Sequence, residues 1–370
     1  MQFSIEKENF IKALRIVGGV AEKKAASDNP ILHSVLLALT EQGLFVTSSD
    51  LDVEVSTFVA VKEAKELGEI VVPFRKMHDI VRSFSADNLV VLKVAETRLT
   101  LRSAKSRFML ATIPSSKFPQ QATKKWDLAL EVVEQDFTAL LEKTIYAIAE
   151  QDVRYYLNGL LLEAKGSRLY AVAADGHRLA ANCIELAQKV PFTLQVLIPR
   201  KSITELARIL EVKERKLTIK FSKNSVAIAN EVFKFCSKLL DGRFPDYNSI
   251  VPANLPLEFI GKRELLRAVF LRASALFSEK MHNIKINLTK NCMQLIARTK
   301  EQDEVEEELE VEYAGEDFSL AFNGKYLLDF LSVTKTDLVR FKFSVQKNSA
   351  AVLEGVGDSM GFYVLMPIRN

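Results

Sequence analysis

At 370 residues with 48% apolar side chains, the chain is long enough for two or three domains, each with its own core. The net charge of +3 neither demands nor excludes a polyanionic partner, so the distribution of charge carries more information than its sum. Three cysteines without a CxxC spacing argue against a disulfide framework or a zinc site, and for a reducing compartment.

In chain order, MQFSIEKENF alternates apolar and charged residues and does not read as a secretory signal. No apolar run approaches the roughly 18 residues of a membrane span, so the expectation is a soluble cytoplasmic protein. The segment EKENFIKALRIVGGV has a helical apolar period, and EQG at 41–43 reads as a turn between strands. LDVEVSTFVAV at 51–61 puts Leu51, Val53, Val55, Val59 and Val61 on one face and Asp52, Glu54 and Ser56 on the other, the period of a half-buried antiparallel strand.

EIVVPFRKMHDIVRSF then reads as a strand running into an amphipathic helix, and the pattern returns as QVLIPRKSITELARIL and SLAFNGKYLLDFLSVT. Pro73, Pro199 and Asn323 hold the same place, 126 and 124 residues apart. The first helix also recurs, as EQDFTALLEKTIYAI and KRELLRAVFLRASAL, with Phe10, Phe137 and Leu265 aligned at spacings of 127 and 128. Phe118-Pro119 returns as Phe244-Pro245. Three copies of about 125 residues account for the chain, and such self-similarity sets the architecture. Each copy is α+β, two helices packed on antiparallel sheet. Breaks in periodicity at FPQQATKKWD and VPANLP place the domains at 1–124, 125–253 and 254–370.

Catalytic motifs are weak. Gly357-Asp358-Ser359-Met360-Gly361 fits G-x-S-x-G, but the nucleophile elbow needs a following helix and a later acid and histidine, so GVGDSMG reads as a turn between strands. Asp175-Gly176-His177-Arg178 reads as a hairpin turn whose histidine starts the return strand. No metal-ligand spacing and no Walker or Rossmann loop occurs, so neither a cofactor nor a metal is expected.

Charge is uneven. Residues 1–124 carry 17 basic and 14 acidic side chains, 125–252 carry 18 and 16, and 253–370 carry 15 and 17, the last including EQDEVEEELEVE at 301–312. A basic beginning and an acidic patch near the end suit head-to-tail association, which closes into rings when the rotation permits. Cations recur on the repeated helices at Lys12, Arg15, Arg75, Lys76, Arg82, Arg200, Lys201, Arg208, Lys325 and Lys335, a pattern suited to meeting phosphates without reading bases.

QDVRYYLNG (151–159), DGHRLA (175–180), IPRK (198–201), SKLLDGRFPDY (237–247) and YVLMPIRN (363–370) resemble the β sliding clamp family, the processivity subunits of bacterial DNA polymerase III. The resemblance spans the chain. It implies three sliding-clamp domains per chain and a head-to-tail homodimeric ring of six, helices lining the hole, that encircles duplex DNA and associates with the nucleoid in the cytoplasm.

It also implies DNA contacts at Lys24, Arg75, Gln151, Tyr155 and Tyr156, with Arg200 and Lys201 of the IPRK motif beside them; the KKAASD loop around Lys24 departs from the family's length. The alternative for the two tyrosines is sheet packing, but adjacent residues on a strand face opposite ways, so both cannot be core at once. An apolar cleft for short linear peptides of the replicative polymerase, the clamp loader and repair polymerases or mismatch-repair proteins would use Leu157, Ala174, Gly176, Leu179, Pro245, Ile250, Val364, Leu365, Met366 and Pro367. Arg154, His177, Arg178 and Arg369 would form its rim. Ala174 stands where the family pattern has threonine and Ser249 where arginine is frequent, which leaves the peptide preference open. A buried leucine and phenylalanine contribute about 1.5–3 kcal/mol each, less the ordering cost, giving exchangeable binding in the roughly micromolar range.

At the subunit contact the resemblance pairs Lys105, Arg107, Phe108 and Leu110 with Ala275, Leu276 and the acidic run at Glu301 and Glu304. Two other readings stand beside it: a hydrolase using Ser359 with His177, and a clamp-like scaffold never loaded on DNA.

Overall fold

The computed structural model describes residues 1–21, 30–86, 88–119, 125–277, 282–346 and 349–368. Lys24 and Arg369 lie outside them. The chain divides into two compact units, Met1–Gln135 with Thr204–Leu239, and Asp136–Ile203 with Leu240–Asn370. Among the described residues no helix is long and apolar enough to cross a membrane.

In the first unit, helix α1 (Lys7–Ala21) buries Phe10, Leu14 and Val17, and α2 (Phe74–Ser83) buries Phe74, Met77 and Val81. The helices meet closely at Gly18, where a Cβ would lie 2.7 Å from the Phe74 ring. The strand Val53–Val59 turns Val53, Val55 and Thr57 inward, as its alternation predicts. Leu51 does not join that face: it is half exposed, at φ 76° in the turn before the strand. The expected turn at 41–43 is present, with Gly43 at φ 143°, a conformation that favours glycine.

In the second unit, α5 (Arg263–Ala273) and α6 (Gly324–Val333) pack against each other. The register expected for α5 is off by one. Leu266 is fully buried and Leu265 is 46% exposed, so Leu266 is the counterpart of Phe10 and Phe137, the fourth residue of each helix. The remaining helices are α3 (Glu134–Glu142) and α4 (Arg200–Ile209). α3 stops short of the predicted run. The Thr144 hydroxyl donates to the Leu140 carbonyl at 2.9 Å, and a 3-10 turn follows at Ile145–Ala147. Pro73, Pro199 and Asn323 each immediately precede a helix, and the Asn323 side chain accepts from the Lys325 N–H at 3.0 Å as a cap.

Among the described residues, four antiparallel sheets carry these helices. The eight-stranded sheet of the first unit runs Leu128–Val133, Lys216–Ser222, Ser225–Ala229, Phe233–Lys238, Val53–Val59, Gly43–Ser49, Ser34–Thr40, Gly68–Pro73. That of the second runs Leu194–Pro199, Gly159–Lys165, Arg168–Ala174, Arg178–Glu185, Gly361–Leu365, Ala351–Gly355, Leu338–Phe343, Leu257–Lys262. Each is made by two repeats meeting edge to edge: Phe233–Lys238 pairs with Val53–Val59, and Gly361–Leu365 with Arg178–Glu185.

Two strands that match the two sides of these junctions remain at sheet ends. Ser106–Ala111 closes a five-stranded sheet in the first unit, and Glu304–Glu310 closes a four-stranded sheet in the second.

Candidate functional site

One face of the second eight-stranded sheet carries an apolar cluster. Pairing puts Ala174 opposite Leu179, Leu179 opposite Val364, and Val172 opposite Ala181 on the same face. Leu157 joins them from the 3-10 turn Tyr155–Leu157, and Phe244 and Tyr247 cover them from the chain beyond. Exposed apolar atoms edge the cluster at Ile250 and Met366, each 41% exposed, with Pro245 exposed and Pro367 half-buried.

The structure thus brings Leu157, Ala174, Leu179 and Val364 together and leaves Gly176, His177, Ile250 and Met366 open to a ligand. Leu365 does not belong. It alternates with Val364, is fully buried and faces the side on which Tyr363 stacks with Phe330 of α6.

Phe244, Tyr247 and Val251 form a wall that the sequence reading missed, although FPDY was already part of the family motif. The Tyr247 hydroxyl donates to Glu163 Oε2 at 2.7 Å, and Gln195 Nε2 donates to Glu163 Oε1 at 2.7 Å, so the buried carboxylate anchors this wall to the sheet.

The turn of the Asp175-Gly176-His177-Arg178 motif is a three-residue loop, and the return strand begins at Arg178, not His177. Asp175 Oδ1 accepts from the N–H groups of His177 at 2.9 Å and Arg178 at 3.0 Å. Gly176 adopts φ 88°, and a Cβ there would lie 2.4 Å from Arg154 Nη2, so only glycine lets Arg154 lie across the turn. Arg154 is oriented by Asp152, with Nε to Oδ1 at 3.0 Å and Nη2 to Oδ2 at 2.8 Å. These bonds hold the Asp152 carboxyl down at about 2.

Arg178 departs from its expected place on the rim. Its side chain lies on the helix side of the sheet, bonded to Asp329 of α6 at 2.6 Å and over the Tyr326 ring at 4.1 Å.

Of the expected DNA contacts, Arg75 is exposed in the first turn of α2. Gln151 is exposed at φ 55°, and Tyr155 is 56% exposed. Tyr156 sits in a 3-10 turn, half-buried, and packs on the apolar cluster. Lys201 is exposed at the start of α4, beside Arg200, which is tied to Glu150 and the Ile148 carbonyl. Arg208, one of the recurring helix cations, donates to the carbonyls of Arg15 at 2.8 Å and Ile16 at 2.9 Å and braces α1.

The two edge strands differ in charge. Arg107 and Met109 are exposed on Ser106–Ala111 beside Lys105, with Phe108 partly exposed against Phe84 and Leu110 buried in its own sheet. Glu304, Glu306, Glu308 and Glu310 are exposed along the other edge, following an exposed Glu301; Ala275 is exposed and Leu276 half-buried in the turn after α5.

Ser359 and His177 do not meet. Ser359 lies beyond the Gly361 end of the pair formed with Arg178–Glu185 and His177 at the opposite end, roughly 14 Å or more along the strands. Among the described residues no His, Cys, Asp or Glu side chains gather as a metal site.

An open apolar patch beside oriented cations, carried on sheets that repeats build jointly, defines a repeat-built binding clamp. Models of the DNA polymerase III beta subunit match along the chain: its N-terminal domain at residues 1–122, its central domain at 131–246 and its C-terminal domain at 248–369. The chain is 39% identical over 369 residues to the beta sliding clamp of Pseudomonas aeruginosa and 38% identical over 373 residues to that of Vibrio cholerae, with all of each chain covered. Among solved structures it is similar to a P. aeruginosa clamp bound to griselimycin, with TM-score 0.95 and 38% identity, and to a Bartonella birtlesii clamp bound to griselimycin, with TM-score 0.94 and 28% identity, again over all of each chain. The chain belongs to the DNA polymerase III beta subunit family, the beta sliding clamps, and acts as a processivity clamp in DNA replication.

Proposed function

We propose that two copies of this chain join head to tail into a closed ring that encircles duplex DNA, slides without reading sequence and performs no catalysis. The observation that carries this reading is the pairing rule inside the chain. At both internal junctions the last strand of one four-strand set pairs with the third strand of the set in the preceding repeat. The strands left over, Ser106–Ala111 and Glu304–Glu310, are the two halves of a third such junction, one cationic and one acidic. An unpaired edge strand is a template for pairing with another chain, and two heterologous contacts close a dimer. Lys105, Arg107, Phe108 and Leu110 then face Ala275, Leu276, Glu301 and Glu304 of a second copy, and the domains run 1–124, 125–253 and 254–370.

DNA is held by topology, with Arg75, Gln151, Tyr155, Arg200 and Lys201 making exchangeable phosphate contacts; Tyr156 belongs to the cleft. The replicative polymerase, the clamp loader and repair proteins dock by short peptides in the cleft of Leu157, Ala174, Leu179, Val364 and Met366. The griselimycin-bound relatives support a ligand of peptide-like chemistry. We place the ring in the cytoplasm, on the nucleoid.

Loading onto nicked circular DNA followed by gel filtration tests the ring. Clamp should co-elute with circles and be lost when one restriction cut opens them. Equal retention on circular and linear DNA would favour ordinary binding instead.

A further inference from the structure

We infer that Arg178 is a positioning residue for the peptide cleft, setting its mouth from the reverse side of the sheet without touching the peptide. This rests on the cleft reading above.

The Arg178 side chain is 8% exposed. Its guanidinium joins three separate segments: Nε donates to Asp175 Oδ2 at 2.9 Å, Nη1 to Asp329 Oδ2 at 2.6 Å, and Nη2 to the Tyr146 carbonyl at 2.5 Å. Tyr326 covers its face. The fork of an arginine satisfies all three directions at once, which a lysine ammonium on a single point cannot.

Asp175 passes this order to the cleft. One of its oxygens holds the Arg178 guanidinium, while the other accepts the backbone N–H groups of His177, in the 175–177 turn, and of Arg178, the first residue of the strand after it. The carbonyl of His177 in that turn in turn accepts the Met366 N–H at 2.9 Å. Met366 is the exposed apolar residue at the edge of the cluster, so α6, Arg178, the turn and Met366 form one hydrogen-bonded chain from the helix layer to the mouth. Without the guanidinium, Asp175 Oδ2 loses its 2.9 Å partner, the turn gains freedom, and Met366 is held less firmly. Such loosening lowers affinity because ordering the mouth must then be done by the ligand.

The test uses the full-length clamp, a fluorescein-labelled short peptide carrying one leucine and one phenylalanine, and hydrogen exchange at the Met366 amide. Arg178→Met should raise Kd roughly three- to thirtyfold, speed Met366 exchange, and do so equally at low and high salt and for acidic and neutral peptides. Asp329→Asn, on α6, should shift both readouts the same way by less, and the double variant should be no weaker than Arg178→Met, because the two act through one network. If Arg178→Met proves too unstable to measure, Asp329→Asn and Arg178→Lys carry the test. An unchanged Kd and Met366 exchange in Asp329→Asn, or a loss in Arg178→Lys that depends on peptide charge, overturns the inference. Met366→Ala separates the two readings: full peptide binding by that variant sinks the cleft itself, whereas its loss beside normal binding by the Arg178 and Asp329 variants sinks only the role of Arg178.

Discussion

Glu134 is fully buried at the start of α3, where it accepts from the Glu211 N–H at 2.7 Å, Asn230 Nδ2 at 2.8 Å and Arg215 Nη2 at 3.0 Å. Burial pushes its carboxyl up, but the Arg215, Glu211 and Asn230 bonds together outweigh burial and leave it below the usual range. A carboxyl depressed in the folded state stabilises above its unfolded pKa, about 4.3, and that contribution fades as pH falls through the folded value. Glu134→Gln should therefore lower the urea midpoint at pH 7, and the gap to the natural protein should narrow below about pH 4.3. A gap that stays constant with pH would mean that the charge contributes nothing. The fully truncating Glu134→Ala takes the acceptor from the Glu211 N–H and the Asn230 amide and leaves Arg215 only Glu211 Oε2 at 3.4 Å, and should cost about 3 kcal/mol. Nothing local in EVVEQDF marks this glutamate, because its partners lie 77 to 96 residues away.

At the scale of one element, α5 separates two adjacent leucines that the repeat alignment could not. Leu266→Ala should destabilise the fold by about 2–5 kcal/mol, and Leu265→Ala should change it by less than about 0.5 kcal/mol, both read as shifts in chemical unfolding midpoint. Comparable losses at both sites would restore the alignment of Leu265 with Phe137. The helical period was legible in sequence, but its phase was not, since a one-residue shift leaves an apolar residue at both positions. Phe362–Leu365 are all apolar or aromatic, so no alternation there marks an inward face. Which face meets the helices is set by partners far along the chain, so nothing local in the sequence places Leu365 and Arg178 on the helix side, where the structure has both.

For the whole molecule, the exposed charges on the two edge strands make assembly the property most open to salt. The head-to-tail contact should weaken as salt rises from low to about 0.5 M, because the Debye length shrinks to a few ångströms. Arg107→Glu should convert dimer to monomer in sedimentation velocity while leaving the chemical unfolding midpoint of the monomer unchanged, because the side chain is exposed. A variant that stays dimeric at low micromolar concentration would remove this edge from the interface.

Sequence alone determined the threefold period, the two helices of each repeat, the turn at 41–43, the presence of a turn at Asp175-Gly176 and the family motifs, because these arise from local periodicity and local turn chemistry. Tertiary structure decided that repeats share sheets edge to edge, that Tyr156 packs on the apolar cluster, and that the Arg178 side chain lies on the helix side of the sheet. Those outcomes depend on pairings between strands and side chains distant in the chain, and a period of two or 3.6 carries no record of which distant partner completes each face.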